Sequence, residues 1–130
     1  MGNSAGVIDL TKTYLHLTDG PDVIELPVTE NFWEELVARD DLGDGRLISA
    51  YRFTENWASW EMHPAGEEVV CMISGAADFH LDLPEREKIV EMRGCGAVIV
   101  PRGVWHTATV HKPSDMLFIT RGAGTQHRSR

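Results

Sequence analysis

Short apolar runs broken at close intervals by turn signals confine this 130-residue chain to a fold of many short strands. Asp19-Gly20-Pro21, Gly43-Asp44-Gly45 and Gly94-Cys95-Gly96 are such signals. Between them the sequence predicts strands at residues 14–17, 23–26, 47–53, 57–63, 69–73, 77–83, 88–92, 97–100, 105–110 and 116–120. Ten strands of this length suit an all-β jelly roll. Leu83-Pro84-Glu85-Arg86-Glu87 reads as a polar connection, because Pro84 cannot donate to a central ladder. The one predicted helix spans residues 29–38, with Thr29 as its N-cap and Phe32, Trp33, Leu36 and Val37 on one face to cover the barrel.

This divides a single domain into N-terminal strands and a short helix at 1–45, a barrel core at 46–121 and a tail at 122–130. The tail is locally basic and flexible by composition. Hydrophobic residues make up 42% of the chain, enough for one core without disulfide staples. Twenty acidic against twelve basic residues give a charge of -8, which opposes nucleic-acid binding because neutralising phosphates requires clustered Lys and Arg. A small organic ligand or a protein is the expected partner.

The N-terminus lacks the basic-then-apolar run of a signal peptide, and no stretch approaches the roughly 18 apolar residues of a membrane span. Met1-Gly2-Asn3-Ser4-Ala5 looks like a myristoylation start, but Gly6 stands where Ser or Thr is expected. Cys71 and Cys95 form neither a C-x2-C pair nor a disulfide framework and read as reduced thiols. A soluble cytoplasmic protein with no membrane partner is expected. The runs 69–73 and 97–100 are apolar on both strand faces, which predicts a homodimer formed through a sheet.

Two distant segments carry ligand-type side chains in strand-like sequence: His63-x4-Glu68-x6-Gly75, and Pro101-Arg102-Gly103-Val104-Trp105-His106. They resemble the two motifs of the cupin superfamily, G-x5-H-x-H-x3,4-E-x6-G and G-x5-P-x-G-x2-H-x3-N. The resemblance covers roughly residues 46–120. His63 takes the second histidine position, Glu68 the glutamate and Gly75 the closing glycine, while Pro101, Gly103 and His106 match P-x-G-x2-H. The first histidine position holds Glu61, the first opening glycine falls on Glu55, the closing asparagine is Val110, and the second opening glycine is displaced to Gly94 or Gly96.

The resemblance implies a double-stranded β-helix barrel, a divalent metal (iron, manganese, zinc or nickel) and a dimer. Strand periodicity puts Glu61 and His63 on one face, with Trp57 and Ser59 beside them and Trp60 and Met62 opposite. If Glu61 ligates, the metal set is Glu61, His63, Glu68 and His106. If it does not, His63, Glu68 and His106 resemble the facial triad of non-haem iron oxygenases, and Glu61 is free to act as the catalytic base. Trp57, Met72 and Phe53 are expected in the pocket wall, the first two by parity from His63 and Glu68. Trp105 alternates with His106 and should point away from the metal, and Glu67 should face solvent. His16 and His80 are candidates for the pocket mouth and Arg102 for its rim, whereas His111 and His127 are expected in solvent.

These readings predict a small metal-dependent enzyme acting on a small organic molecule, with dioxygenase, isomerase, lyase and decarboxylase chemistry all compatible, since this fold hosts many reactions. A non-catalytic metal- or metabolite-binding module is the alternative. A metal-free barrel using His63 and Glu68 for acid-base work is a third. No G-x-S-x-G elbow, phosphate loop or paired Cys and His competes.

Overall fold

The computed structural model describes residues 6–42 and 44–130; Met1-Gly2-Asn3-Ser4-Ala5, which looks like a myristoylation start, and Gly43 of the second turn lie outside the described residues. Among the described residues, nine strands and one helix follow in the order β1 Thr13–Leu17, β2 Val23–Pro27, α1 Phe32–Ala38, β3 Arg46–Phe53, β4 Ser59–Met62, β5 Glu68–Asp82, β6 Glu87–Arg93, β7 Gly96–Val100, β8 Trp105–Thr120 and β9 Gln126–Ser129. Strands β5 and β8 form the spine, paired antiparallel from Val69↔Ile119 to Asp82↔Trp105. On either side of the spine, β5 also pairs with β6 and β7, while β8 pairs with β3 and β4.

Two pairs of predicted strands are thus fused into two long ones. Where the sequence breaks each pair, the ladder carries a bulge: the β5–β8 register shifts three times between Met72 and Ala77. Gly75 supplies a φ of +119° on one strand, and Pro113, which has no N–H to give, sits opposite on the other. Inward positions are Glu68, Val70 and Met72 before the bulge and Ala77, Phe79 and Leu81 after it. The change of parity turns both halves of β5 toward one interior.

That interior holds Val70, Met72, Phe79, Leu81, Val100, Met116 and Phe118 in one cluster, each side chain contributing about 1.5–3 kcal/mol by burial. A smaller cluster joins Tyr14, Leu26 and Phe32 beneath the N-terminal strands. Tyr51 packs against both clusters and ties β1, β2 and α1 to the barrel.

Helix α1 is shorter than predicted. Its N-cap position is Asn31, which makes no side-chain cap hydrogen bond, and the Thr29 hydroxyl instead donates to Glu35 Oε1 (2.6 Å). On its predicted covering face only Phe32 is buried; Trp33 and Val37 are 50% and 86% exposed. The tail is the other departure, since residues 126–129 form β9, paired with β4. Among the described residues no helix is long and apolar enough to cross a membrane.

Candidate metal centre

The bend in the spine brings the two motif segments to one point. Glu61 lies on β4 directly across from His106 on β8, His63 follows the end of β4, and Glu68 opens β5. Glu68 Oε1 is 3.1 Å from His106 Nε2, and its Oε2 is 3.3 Å from His63 Nε2. Glu61 Oε1 stands further off, 3.9 Å from His63 Nε2 and 4.0 Å from His106 Nε2. His63, Glu68 and His106 are buried, whereas the Glu61 side chain is 32% exposed.

Each imidazole is held from behind. His106 Nδ1 donates to the Val104 carbonyl (3.1 Å), and His63 Nδ1 lies 2.8 Å from Thr125 Oγ1. A carbonyl can only accept, so the Nδ1 of His106 carries hydrogen and its Nε2 is the atom left for a ligand. Thr120 Oγ1 donates to Glu68 Oε2 (2.5 Å). His63 Nε2, His106 Nε2 and Glu68 Oε1 are all buried and make no hydrogen bond. Three such atoms meeting at one place is costly unless something else satisfies them, and a divalent cation does so for two imidazoles and a carboxylate.

The charges point the same way. Burial alone would raise the Glu68 carboxyl, but the adjacent His106 and His63 more than offset it and hold the group down at about 2. Burial would lower His106, and the Glu68 carboxylate together with the Val104 carbonyl raises it above its ordinary 6.5. Glu61, His63 and His106 each offer a ligand atom within 4.8 Å of the others.

A cavity of about 1190 Å³ opens onto this point. Its walls include Trp33, Tyr51, Phe53, Trp57 and Phe118, with Glu61, His63 and Glu68 supplying polar atoms. Phe53 and Trp57 both line the cavity, their ring centroids 5.4 Å apart. Met72 does not line the cavity. Parity does turn it inward, but it lies opposite Met116, where the interior is filled, and it is fully buried in the core.

His16 lines the cavity with its Nε2 near the Leu42 carbonyl (3.2 Å), whereas His80 is occupied by Thr109 and Glu87 away from it. Arg102 does not line this cavity; it donates to the Ala65 carbonyl in an adjoining charged hollow with Arg46, Arg121 and Glu67, Arg121 lining both. His111 contacts Asp78 Oδ2 at 2.8 Å. The residues that sequence reasoning missed are Thr120, Thr125 and His127, the last with its Nε2 3.0 Å from Glu61 Oε2. Thr120 had a legible signal, since it continues the inward parity of Met116 and Phe118; Thr125 and His127 had none.

No family model matches the sequence, and no curated protein matches it. Solved structures do match in fold. One is a cupin-2 domain containing protein from Shewanella frigidimarina, 14% identical over 58% of this chain and 70% of that one, at a TM-score of 0.51. Another is hydroquinone 1,2-dioxygenase from Sphingomonas sp. TTNP3 with 4-hydroxybenzoate bound, 19% identical over 60% of each chain, at a TM-score of 0.51. An oxalate decarboxylase matches at 16% identity and a TM-score of 0.53 over 66% of this chain but 23% of its own length. The chain thus spans less than two thirds of either enzyme. At these identities the likeness is one of architecture, and the chain has the cupin fold, a double-stranded β-helix barrel.

Proposed function

We propose that the chain is a small metal-dependent cupin enzyme acting on a small organic molecule, with the metal held by His63, Glu68 and His106. The observation that carries this reading is the meeting of three buried, unpartnered ligand atoms beside an aromatic-walled cavity. A divalent metal bound there supplies Lewis-acid polarisation of substrate oxygens. The aromatic walls favour an apolar substrate body, and Glu61, on the cavity side and less buried than the other three, is the residue placed to take a proton. The dioxygenase and decarboxylase among the structural neighbours support a reaction in this range; isomerase and lyase chemistry fit the same residues.

The test is elemental analysis of the purified protein beside Glu61→Gln, followed by a turnover screen over hydroxylated, keto and aromatic acids. Wild type is expected to carry near-stoichiometric metal, and Glu61→Gln to keep it while losing turnover, because His127 already engages the outer oxygen of Glu61. Loss of metal in Glu61→Gln would make Glu61 a fourth ligand instead. Metal with tight ligand binding and no product would favour the non-catalytic binding module.

The partner expected at the outer sheet face is a second copy of the chain. Leu15, Ile48, Ile119, Val69 and Ile99 form one continuous cross-strand row over five strands, and Ala50, Leu117, Cys71 and Ala97 form the next. None of the nine is buried, and Ile73 and Ile99 are 59% and 60% exposed. An apolar face with no charge in its central rows suits contact with the same face of a second copy, as in an isologous dimer. Light scattering after size exclusion is expected to return twice the chain mass, and Ile99→Glu to return the monomer; a monomeric wild type removes this interface.

A further inference from the structure

The C-terminal residues, which composition assigns to solvent, are built into the barrel beside the candidate centre. Strand β9 pairs with β4 through Ser59↔Ser129, Trp60↔Arg128, Glu61↔His127 and Met62↔Gln126. The Arg128 guanidinium lies over the rings of Trp105 and Trp60, 4.6 and 5.3 Å from their centroids, and pairs with Asp82 at 2.8 Å. Arg130 donates to the Trp57 carbonyl (3.1 Å), the Ala108 carbonyl (2.8 Å) and Thr109 Oγ1 (2.6 Å). Cation–π stacking on two indoles and donors to two carbonyls fix the strand although its side chains are exposed.

Immediately before β9, residues 122–125 form a turn closed by Thr125 N–H donating to the Gly122 carbonyl (3.1 Å). The Thr125 hydroxyl donates to that same carbonyl at 2.7 Å. A hydroxyl has one proton, and here it is spent on Gly122; toward His63 Nδ1, 2.8 Å away, Thr125 Oγ1 can therefore only accept. His63 must carry its hydrogen on Nδ1, which leaves the Nε2 lone pair directed at Glu68. His106 reaches the same tautomer through Val104, a residue of its own segment. The tautomer of His63 is instead set by a residue 62 positions away.

We infer that Thr125 is a positioning residue of the candidate metal centre, and that the C-terminal turn and strand β9 are part of that centre. The inference rests on the metal-binding reading proposed above, and its test separates the two. Full-length wild type, Thr125→Val and Thr125→Ser are compared in two ways. Zinc affinity is measured by competition with a chromophoric chelator. The ring-nitrogen shifts of His63 are measured by NMR on metal-free protein at about pH 8.5, above the ordinary histidine range.

Wild type and Thr125→Ser are expected to show the Nδ1–H tautomer of His63 and equal zinc affinity. Thr125→Val, close to threonine in shape but without the acceptor oxygen, is expected to show mixed tautomers and a zinc affinity lower by about 10–100-fold, at an unchanged thermal midpoint. Thr125→Val with the wild-type tautomer and wild-type affinity overturns the inference. Should wild type bind no zinc, the metal reading fails, and the His63 tautomer in Thr125→Val still decides whether Thr125 positions the ring.

Discussion

His106→Ala is expected to purify without metal, where wild type carries it near-stoichiometrically, and to unfold more readily. The imidazole is completely buried, with Nδ1 committed to the Val104 carbonyl and Nε2 3.1 Å from Glu68 Oε1. Its removal leaves two strong protein ligands, too few for a divalent ion that takes three or four. It also leaves Glu68, 3% exposed, with only the His63 imidazole and the Thr120 hydroxyl beside it. Breaking a buried ionic contact from one side costs about 3–5 kcal/mol, much of a typical domain's total stability of about 5–15 kcal/mol.

The pH dependence carries the same signature. A carboxyl held at about 2 in the folded protein against an ordinary 4.5 contributes stability that is complete above 4.5 and is lost as pH falls toward 2. Without His106 the Glu68 carboxyl moves back up, so the acid limb of the stability curve moves to higher pH. Elemental analysis and thermal unfolding from neutral pH into acid measure both effects. Unchanged metal content in His106→Ala would remove His106 from the centre altogether. His106→Gln, which keeps more of the side-chain volume, separates loss of the ligand from loss of packing: it too is expected to lack metal, with a smaller loss of stability.

The parts of this arrangement legible in the sequence are those governed by short-range rules. Period-2 alternation turns Glu68, Val70 and Met72 inward and leaves Val69, Cys71 and Ile73 out, and the likeness of two separate segments to the cupin motifs singles out His63, Glu68 and His106, whose imidazoles lie 3.3 and 3.1 Å from the Glu68 carboxylate. What the sequence hid depends on partners far along the chain. Gly75 and Lys112-Pro113-Ser114-Asp115 carry turn chemistry, yet each continues a strand, because the β5–β8 ladder resumes beyond the bulge and outweighs the local preference. Residues 126–129 have no apolar alternation; what orders them is the open edge of β4 and the stacking of Arg128 on Trp60 and Trp105. Thr125 and His127 were therefore unreadable as neighbours of His63 and Glu61.

Gly75→Ala is expected to destabilise the protein by about 3–5 kcal/mol, the range reached by severe steric and backbone defects. The backbone at Gly75 has a φ of +119°, which a side chain rarely tolerates. A β-carbon there would overlap Ser114 Oγ and come within 2.6 Å of Ser114 Cα and 2.7 Å of the Pro113 carbonyl oxygen. Two of these are backbone atoms of the neighbouring spine strand, so relief means moving β8 itself. That bend joins the half of β5 carrying Glu68 to the half whose Leu81 lies opposite His106, and displacing it separates the two ligand residues. Gly94→Ala is the control: it also has positive φ, +72°, but an added β-carbon meets nothing within 4 Å. It bears only the backbone penalty of a side chain in the left-handed region, about 1–2 kcal/mol, and its metal content is expected to stay at the wild-type level. Urea denaturation with metal analysis on both variants reads the difference; equal losses of stability would show that contact with Ser114 and Pro113 is not what makes glycine necessary at the bend.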